Sequence, residues 1–254
     1  MKPKVIALAL LAALVCTSSH AQRPGGGPFG GGMAPGVDQG FTKYFGDNNA
    51  FSAKAECTMD GPEGTPVVMV MNMTMLDGKT RMEMDMTQMR GTKMPPTAIA
   101  SMKQMGMDRT IMITLPEKKT SYMIYPSLQA YVENPMRTDT ENPEAGKKPK
   151  IEKTSLGKES IDGHPCDKNK VVITMENGKT HEAIVWNAPD LKDFPLQMQM
   201  SEAGRNMTMK FKDVSLDKPD AKLFEPPADA TKYDSQMQLM QNEVMKRAGG
   251  LRKQ

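Results

Sequence analysis

From residue 50 to residue 214, apolar and polar side chains alternate at period two in segment after segment, with turn-forming residues between them. Alternation of this kind predicts half-buried strands of an antiparallel sheet. Strands are expected over residues 50–59, 67–76, 79–87, 110–115, 120–125, 129–133, 153–161, 168–176, 179–186, 196–200 and 206–214. Two segments switch to helical spacing. PPTAIASMKQMGMD opens with prolines suited to a first helical turn and puts Ala98, Met102 and Met105 on one face. DSQMQLMQNEVMKRAGG has an Asp or Ser start, a Gly stop, and Met237, Met240 and Val244 along one stripe.

The turns set the register of the strands. In VVMVMNMTMLDGKTRMEMDMTQM, which begins at Val67, Asp77-Gly78 reads as a two-residue hairpin turn whose central positions both need positive φ. Pairing outward from Leu76 and Lys79 sets Met75 opposite Thr80, Met73 opposite Met82, Met71 opposite Met84 and Met69 opposite Met86. Seven methionines then share one face, because side chains alternate along a strand and meet across a pair. The other face, with Asn72, Thr74, Arg81, Glu83 and Asp85, is mostly polar. A second ribbon repeats the scheme. A tight turn near Ala203-Gly204 would set Met200 beside Met207, Met198 beside Met209 and Leu196 beside Phe211.

Several readings of these thioethers compete. Methionine arrays bind Cu(I) or quench oxidants, they fill cores, and they form adaptable apolar surfaces. Only His164 and His181 follow the first 21 residues, and so regular a face looks sheltered, which weighs against metal chemistry. Core filling alone does not explain a flexible side chain where Leu or Val would serve. The preferred reading is a surface that moulds itself to an apolar ligand. Its candidate ligand-binding residues are Met69, Met71, Met73, Met82, Met84, Met86, Met198, Met200, Met207, Met209 and Phe211. No metal or cofactor is expected. A Cu(I)-binding or oxidant-scavenging protein and a structural envelope module remain as alternatives.

Composition and the ends of the chain add compartment and organisation. Lys2 and Lys4 precede an apolar run from Val5 to Val15 and a small-residue exit at Ala21, which reads as a secretory signal over residues 1–21. That run is short against the ~20 residues of a spanning helix. Val15 is bulky for lipid attachment at Cys16. A Gly/Pro-rich flexible segment is expected over 22–40, a single β-rich domain over 41–245 and a frayed tail over 246–254, with a long polar loop over 134–150. The 33 basic residues, less Lys2 and Lys4, against 30 acidic ones leave a balance of about +1, which advertises no nucleic-acid partner. Cys57 and Cys166 then remain. An oxidising compartment predicts one disulfide between them, with two separately buried thiols as the alternative.

No catalytic constellation is found. His164, Cys166 and His181 tempt a metal or nucleophile reading, but a hairpin turn at Asn177-Gly178 would place His181 opposite Thr174. At ~3.3 Å per residue that is on the order of 26 Å from Cys166. Trp186, set opposite Asn169, is expected in the core. Tyr122, Tyr125 and Tyr131 could line a cavity mouth around Pro126.

The second half of the chain carries a resemblance. LGKESIDGHPC, the Trp-ending strand before NAPDLKDFPLQMQM, and the closing LFEPPADATKYD, together with TLPEKKTSYMIYPSLQAYVE earlier, resemble secreted bacterial proteins grouped as domain of unknown function 4412. That grouping looks similar to the lipoprotein-sorting (LolA/LppX-like) superfamily of periplasmic carriers. The resemblance covers roughly residues 51–234. It implies a mainly β fold: a strongly curved antiparallel sheet, an incomplete barrel, with two or three helices over its concave side and an apolar cavity for acyl chains between. It also implies a non-catalytic periplasmic or secreted protein whose partner is a lipid, a lipoprotein or another hydrophobic molecule. Peripheral membrane association and an envelope protein partner stay open.

Overall fold

The computed structural model describes residues 39–246 apart from 62–63, 93, 137–148, 176–177, 179 and 203–204. The expected signal segment, most of the Gly/Pro-rich arm, the middle of the 134–150 loop and nearly all of the tail lie outside the described residues. All the strands belong to one unit spanning Asp38–Gln254.

Twelve described strands form a single sheet, in the order β12-β6-β5-β4-β3-β2-β1-β11-β10-β9-β8-β7. They are β1 (Ala50–Met59), β2 (Val67–Leu76), β3 (Lys79–Asp85), β4 (Arg109–Leu115), β5 (Thr120–Tyr125), β6 (Ala130–Pro135), β7 (Lys150–Ile161), β8 (His164–Thr174), β9 (Thr180–Ala188), β10 (Phe194–Glu202), β11 (Arg205–Ser215) and β12 (Thr231–Tyr233). Every pairing but one is antiparallel; β12 runs parallel to β6. The sheet is open, with β7 and β12 at its two edges, so the expected incomplete barrel is found.

The β2–β3 hairpin follows from its turn. Asp77 and Gly78 both take positive φ, 49° and 81°, and Leu76 faces Lys79, Met73 faces Met82 and Met71 faces Met84 as expected. The expected Met69–Met86 pair does not form. Asp85 accepts hydrogen bonds from the Thr87 amide and hydroxyl, and this local capping turns Met86–Gln88 into a short 3₁₀ helix in place of two more strand residues. Val68 pairs instead with Arg90 through two backbone hydrogen bonds of 2.9 Å. Gly91 makes that approach feasible. A Cβ there would sit 1.9 Å from the Pro66 carbonyl oxygen.

Helical cover is thin. Helix α1 (Gln39–Thr42) runs into a 3₁₀ turn, Lys43–Phe45, which sequence periodicity did not predict. Its Phe45 ring stacks on Phe51 at 4.7 Å and meets Phe194 and Phe211 at 5.6 and 5.5 Å, closing one end of the sheet face that carries β1 and β11. Helix α2 (Pro96–Met105) starts on Pro95-Pro96 and stops at Gly106 in the left-handed region; its Ala98, Met102 and Met105 are half-buried, as the predicted stripe requires. Helix α3 (Gln236–Leu239) is capped by the Ser235 hydroxyl and continues as a π-helical turn, Met240–Val244. The wider turn breaks the predicted stripe. Leu239 packs against Tyr125, Ala130, Val132 and Tyr233, while Met237 is left in solvent. Among the described residues no helix is long and apolar enough to cross a membrane.

The sheet is apolar on both faces over β4–β6. Opposite the methionines, Ile111, Ile113, Leu115, Ile124 and Leu76 pack under Phe224, which returns after β11. Tyr122 and Tyr131 belong to this side, edge to face at 5.9 Å, and Tyr125 to the other, so the three tyrosines line no common mouth.

Candidate functional site

Register sorts the methionine face into rows across the sheet. One row runs Ala53, Met73, Met82, Met112, Met123, Val132 over β1 to β6. The next runs Phe211, Ala55, Met71, Met84, Thr110. A third runs Met69, Cys57, Met209, Met198, Val185, and a fourth Val67, Met59, Met207, Met200, Ala183. The predicted pairs Met200–Met207 and Met198–Met209 are therefore present, and both ribbons supply one continuous surface through β1 and β11.

Burial is graded along this surface. Met69, Met71, Met73, Met82, Met198, Met209 and Phe211 are all buried, with Met73 at 1% and Met82 at 2% exposure. Met84, Met86, Met200 and Met207 are half-buried, as is Met59 beside Met207. Burial loosens on two sides of the packed residues, at the row of Met59, Met207 and Met200 and at Met112 and Met123 of β4 and β5. Met86 lies in the connection between β3 and β4. That connection also carries Met89, Met94, Met102, Met105 and Met107, all half-buried.

Polar groups at the face are few. Thr80, 2% exposed beside Met75, leaves its hydroxyl without a hydrogen-bond partner. The Tyr125 hydroxyl donates to Met123 Sδ at 3.1 Å and accepts from Gln236 Nε2 at 2.9 Å, tying α3 to the sheet, and burial pushes its pKa up. Charged pairs such as Arg90–Glu56 at 3.1 Å and Lys54–Asp213 at 3.9 Å lie on exposed positions, where they contribute little.

Sequence reasoning missed two members of the surface, Met112 and Met123. Each alternates with isoleucine or tyrosine, so β4 and β5 are apolar on both faces and their periodicity assigns no side; only the register through β3 does.

The expected Cys57–Cys166 disulfide is not formed; both thiols are free and buried. Cys57 sits on β1 and Cys166 on β8, with β11, β10 and β9 between them. Four inter-strand steps of about 4.8 Å exceed the Cα separation a disulfide spans. Burial pushes the Cys57 thiol up to about 11 and also raises Cys166. His164 Nδ1 lies 2.7 Å from Asp190 Oδ2 at the start of β8, whereas His181 faces Ile173 near its end. The β8–β9 register differs by one residue from expectation, with Thr174 opposite Thr180. Trp186 consequently faces Lys168 and not Asn169; it is buried, donates to Glu159 Oε2 at 2.9 Å and has Lys168 Nζ 4.8 Å above its ring.

Residues 66–194 match the sequence profile of the family described as Domain of unknown function (DUF4412), and the chain belongs to that family. No curated protein matches its sequence. Solved structures similar to it at low identity include three bacterial proteins. A LolA superfamily protein from Nitrosomonas europaea is 10% identical, covering 72% of this chain and 93% of its own, with a TM-score of 0.35. LprF from Mycobacterium bovis is 13% identical over 72% and 91%, TM-score 0.36. The lipoprotein LppX from Mycobacterium tuberculosis is 10% identical over 69% and 96%, TM-score 0.37.

Proposed function

We propose that this DUF4412 chain is a non-catalytic, secreted or periplasmic protein that binds or carries an apolar ligand, a lipid or a lipoprotein acyl chain, on its methionine face. The observation that carries the reading is graded burial: one continuous thioether surface passes from packed residues at Met69, Met73, Met82 and Met209 to half-buried ones at Met84, Met200 and Met207, and at Met112 and Met123 on its other side. An acyl chain enters at the half-buried end and displaces flexible side chains that repack around it. Leu or Val at these positions would resist, since branched side chains have fewer ways to rearrange. Each methylene taken from water contributes about 0.8 kcal/mol, so ten give about 8 kcal/mol before the cost of immobilising the chain. Met69, Met71, Met73, Met82, Met198, Met209 and Phe211 form the inner wall in this account.

Binding of a fluorescent fatty acid to the chain lacking residues 1–21 tests it. Met200→Lys and Met207→Lys, which change only half-buried positions, should weaken binding at least about tenfold, as a lost buried contact of about 1.4 kcal/mol does. Unchanged binding in both variants, or none by the unaltered protein, overturns the proposal.

A further inference from the structure

Cys57 lies between two residues of the proposed inner wall, Met69 and Met209. It lies in the middle of β1 at 0% exposure, with Met69 of β2 directly opposite on one side and Met209 of β11 directly opposite on the other. All three are buried on the same sheet face, and Met198 extends the row beyond Met209. Opposed Cβ atoms on neighbouring antiparallel strands are about 4.5–5.5 Å apart, within reach of long side chains. One thiol and two thioethers can thus converge above β1. The row holds no carboxylate and no imidazole.

We propose that Cys57, Met69 and Met209 form a buried Cu(I) site, loaded through the half-buried Met59, Met207 and Met200 of the adjoining row. Thiolate and thioether donors select a soft monovalent ion, whereas Zn²⁺, Ca²⁺ and Mg²⁺ want imidazole, further thiolates or oxygen. The chemistry balances without a redox step. As the Cu–S bond forms, the Cys57 thiol gives its proton to solvent, the incoming ion leaves its previous ligand, and copper remains Cu(I). The product pairs one positive ion with one thiolate, so the apolar interior gains no net charge. The adjoining row lies two residues along each strand, and three half-buried thioethers there offer a step-by-step ligand exchange from surface to interior. Since the thiol loses its proton as the Cu–S bond forms, affinity rises with pH.

The test is titration of the chain lacking residues 1–21 with Cu(I), under ascorbate and without oxygen, against the chelator bathocuproine disulfonate. The expected result is one Cu(I) per chain, one proton released, and a sulfur-only first shell by X-ray absorption. Cys57→Ser should weaken binding by about 100-fold or more, and Met69→Leu or Met209→Leu, which nearly conserve volume, by about tenfold each. Met73→Leu, on the same face but two rows away, should change nothing. Absence of stoichiometric uptake, or equal loss in Met73→Leu and Met69→Leu, overturns the site in favour of diffuse thioether contact. Fatty-acid binding by the unaltered, metal-free chain separates this outcome from failure of the carrier proposal.

Discussion

Truncating Met73 to alanine tests whether the methionine face is a packed interior. Met73 is 1% exposed, lies between Ala53 and Met82 in its row, and has buried Met71 and Met75 on either side along β2. Removing its Cγ, Sδ and Cε leaves a cavity that the surroundings fill in part. Buried Met→Ala changes cost about 2–5 kcal/mol, and unbranched neighbours that can lean into the gap place this one near the lower end, about 2–3 kcal/mol. Met73→Leu should cost less than about 1.5 kcal/mol, since volume is nearly kept. Met84→Ala, half-buried opposite Met71, should fall between, and Met237→Ala, at 67% exposure, within about 0.5 kcal/mol of the unaltered protein. Urea unfolding followed by fluorescence reads these values directly, because Trp186 is the only tryptophan and is buried. A midpoint shift at constant slope is a stability change. If Met73→Ala costs no more than Met237→Ala, the face is not packed and the ligand reading loses its inner wall.

Gly91→Ala should destabilise by more than about 2 kcal/mol, since its Cβ would fall 1.9 Å from the Pro66 carbonyl at a backbone with positive φ; hydrogen exchange should show the Val68 and Arg90 amides losing protection first. Burial works to raise the Asp85 carboxyl, but hydrogen bonds from Thr87 and Gln88 and the charge of Arg109 outweigh it and hold it below the ordinary 3.8. Its contribution is present above pH 3.8 and fades as pH falls through the lower folded value, so Asp85→Asn should lower stability at pH 7 and remove that part of the acid-unfolding profile. Both thiols should resist a thiol reagent in the native protein at pH 8, and two per chain lacking residues 1–21 should react in denaturant without reductant; a native disulfide would give none. Because Cys57 is raised, folding stability should drop as pH rises from 9.0 toward 11, where the unfolded thiol ionises and the folded one does not.

The parts of the fold legible in the sequence were those that a local turn dictates. Asp77-Gly78 set both strands of its hairpin, and β1, β2 and β5 fall where alternation places them. Where a side chain competes with the backbone, pattern misleads: Asp85 ends β3 early and moves Met86 out of the predicted pairing. Asn177-Gly178 looked like a two-residue turn, yet β9 lies one position away from the expected register against β8, enough to change the partner of Trp186. Non-local structure was not legible at all. β12 is three residues whose pairing with β6 spans about a hundred positions of chain, and the Phe45 cluster forms only when β1, β10 and β11 bring Phe51, Phe194 and Phe211 together. The same holds for the row through Cys57, which needs the β1–β2 and β1–β11 registers at once.

The central claim, that the methionine face accepts an apolar chain, is tested most directly by native mass spectrometry after incubation with a bacterial lipid extract. The account predicts discrete mass additions of acyl-bearing molecules that survive gentle desolvation, disappear on acid unfolding, and diminish in Met207→Lys. A spectrum showing the ligand-free mass alone, or the same additions in Met207→Lys as in the unaltered protein, would contradict it.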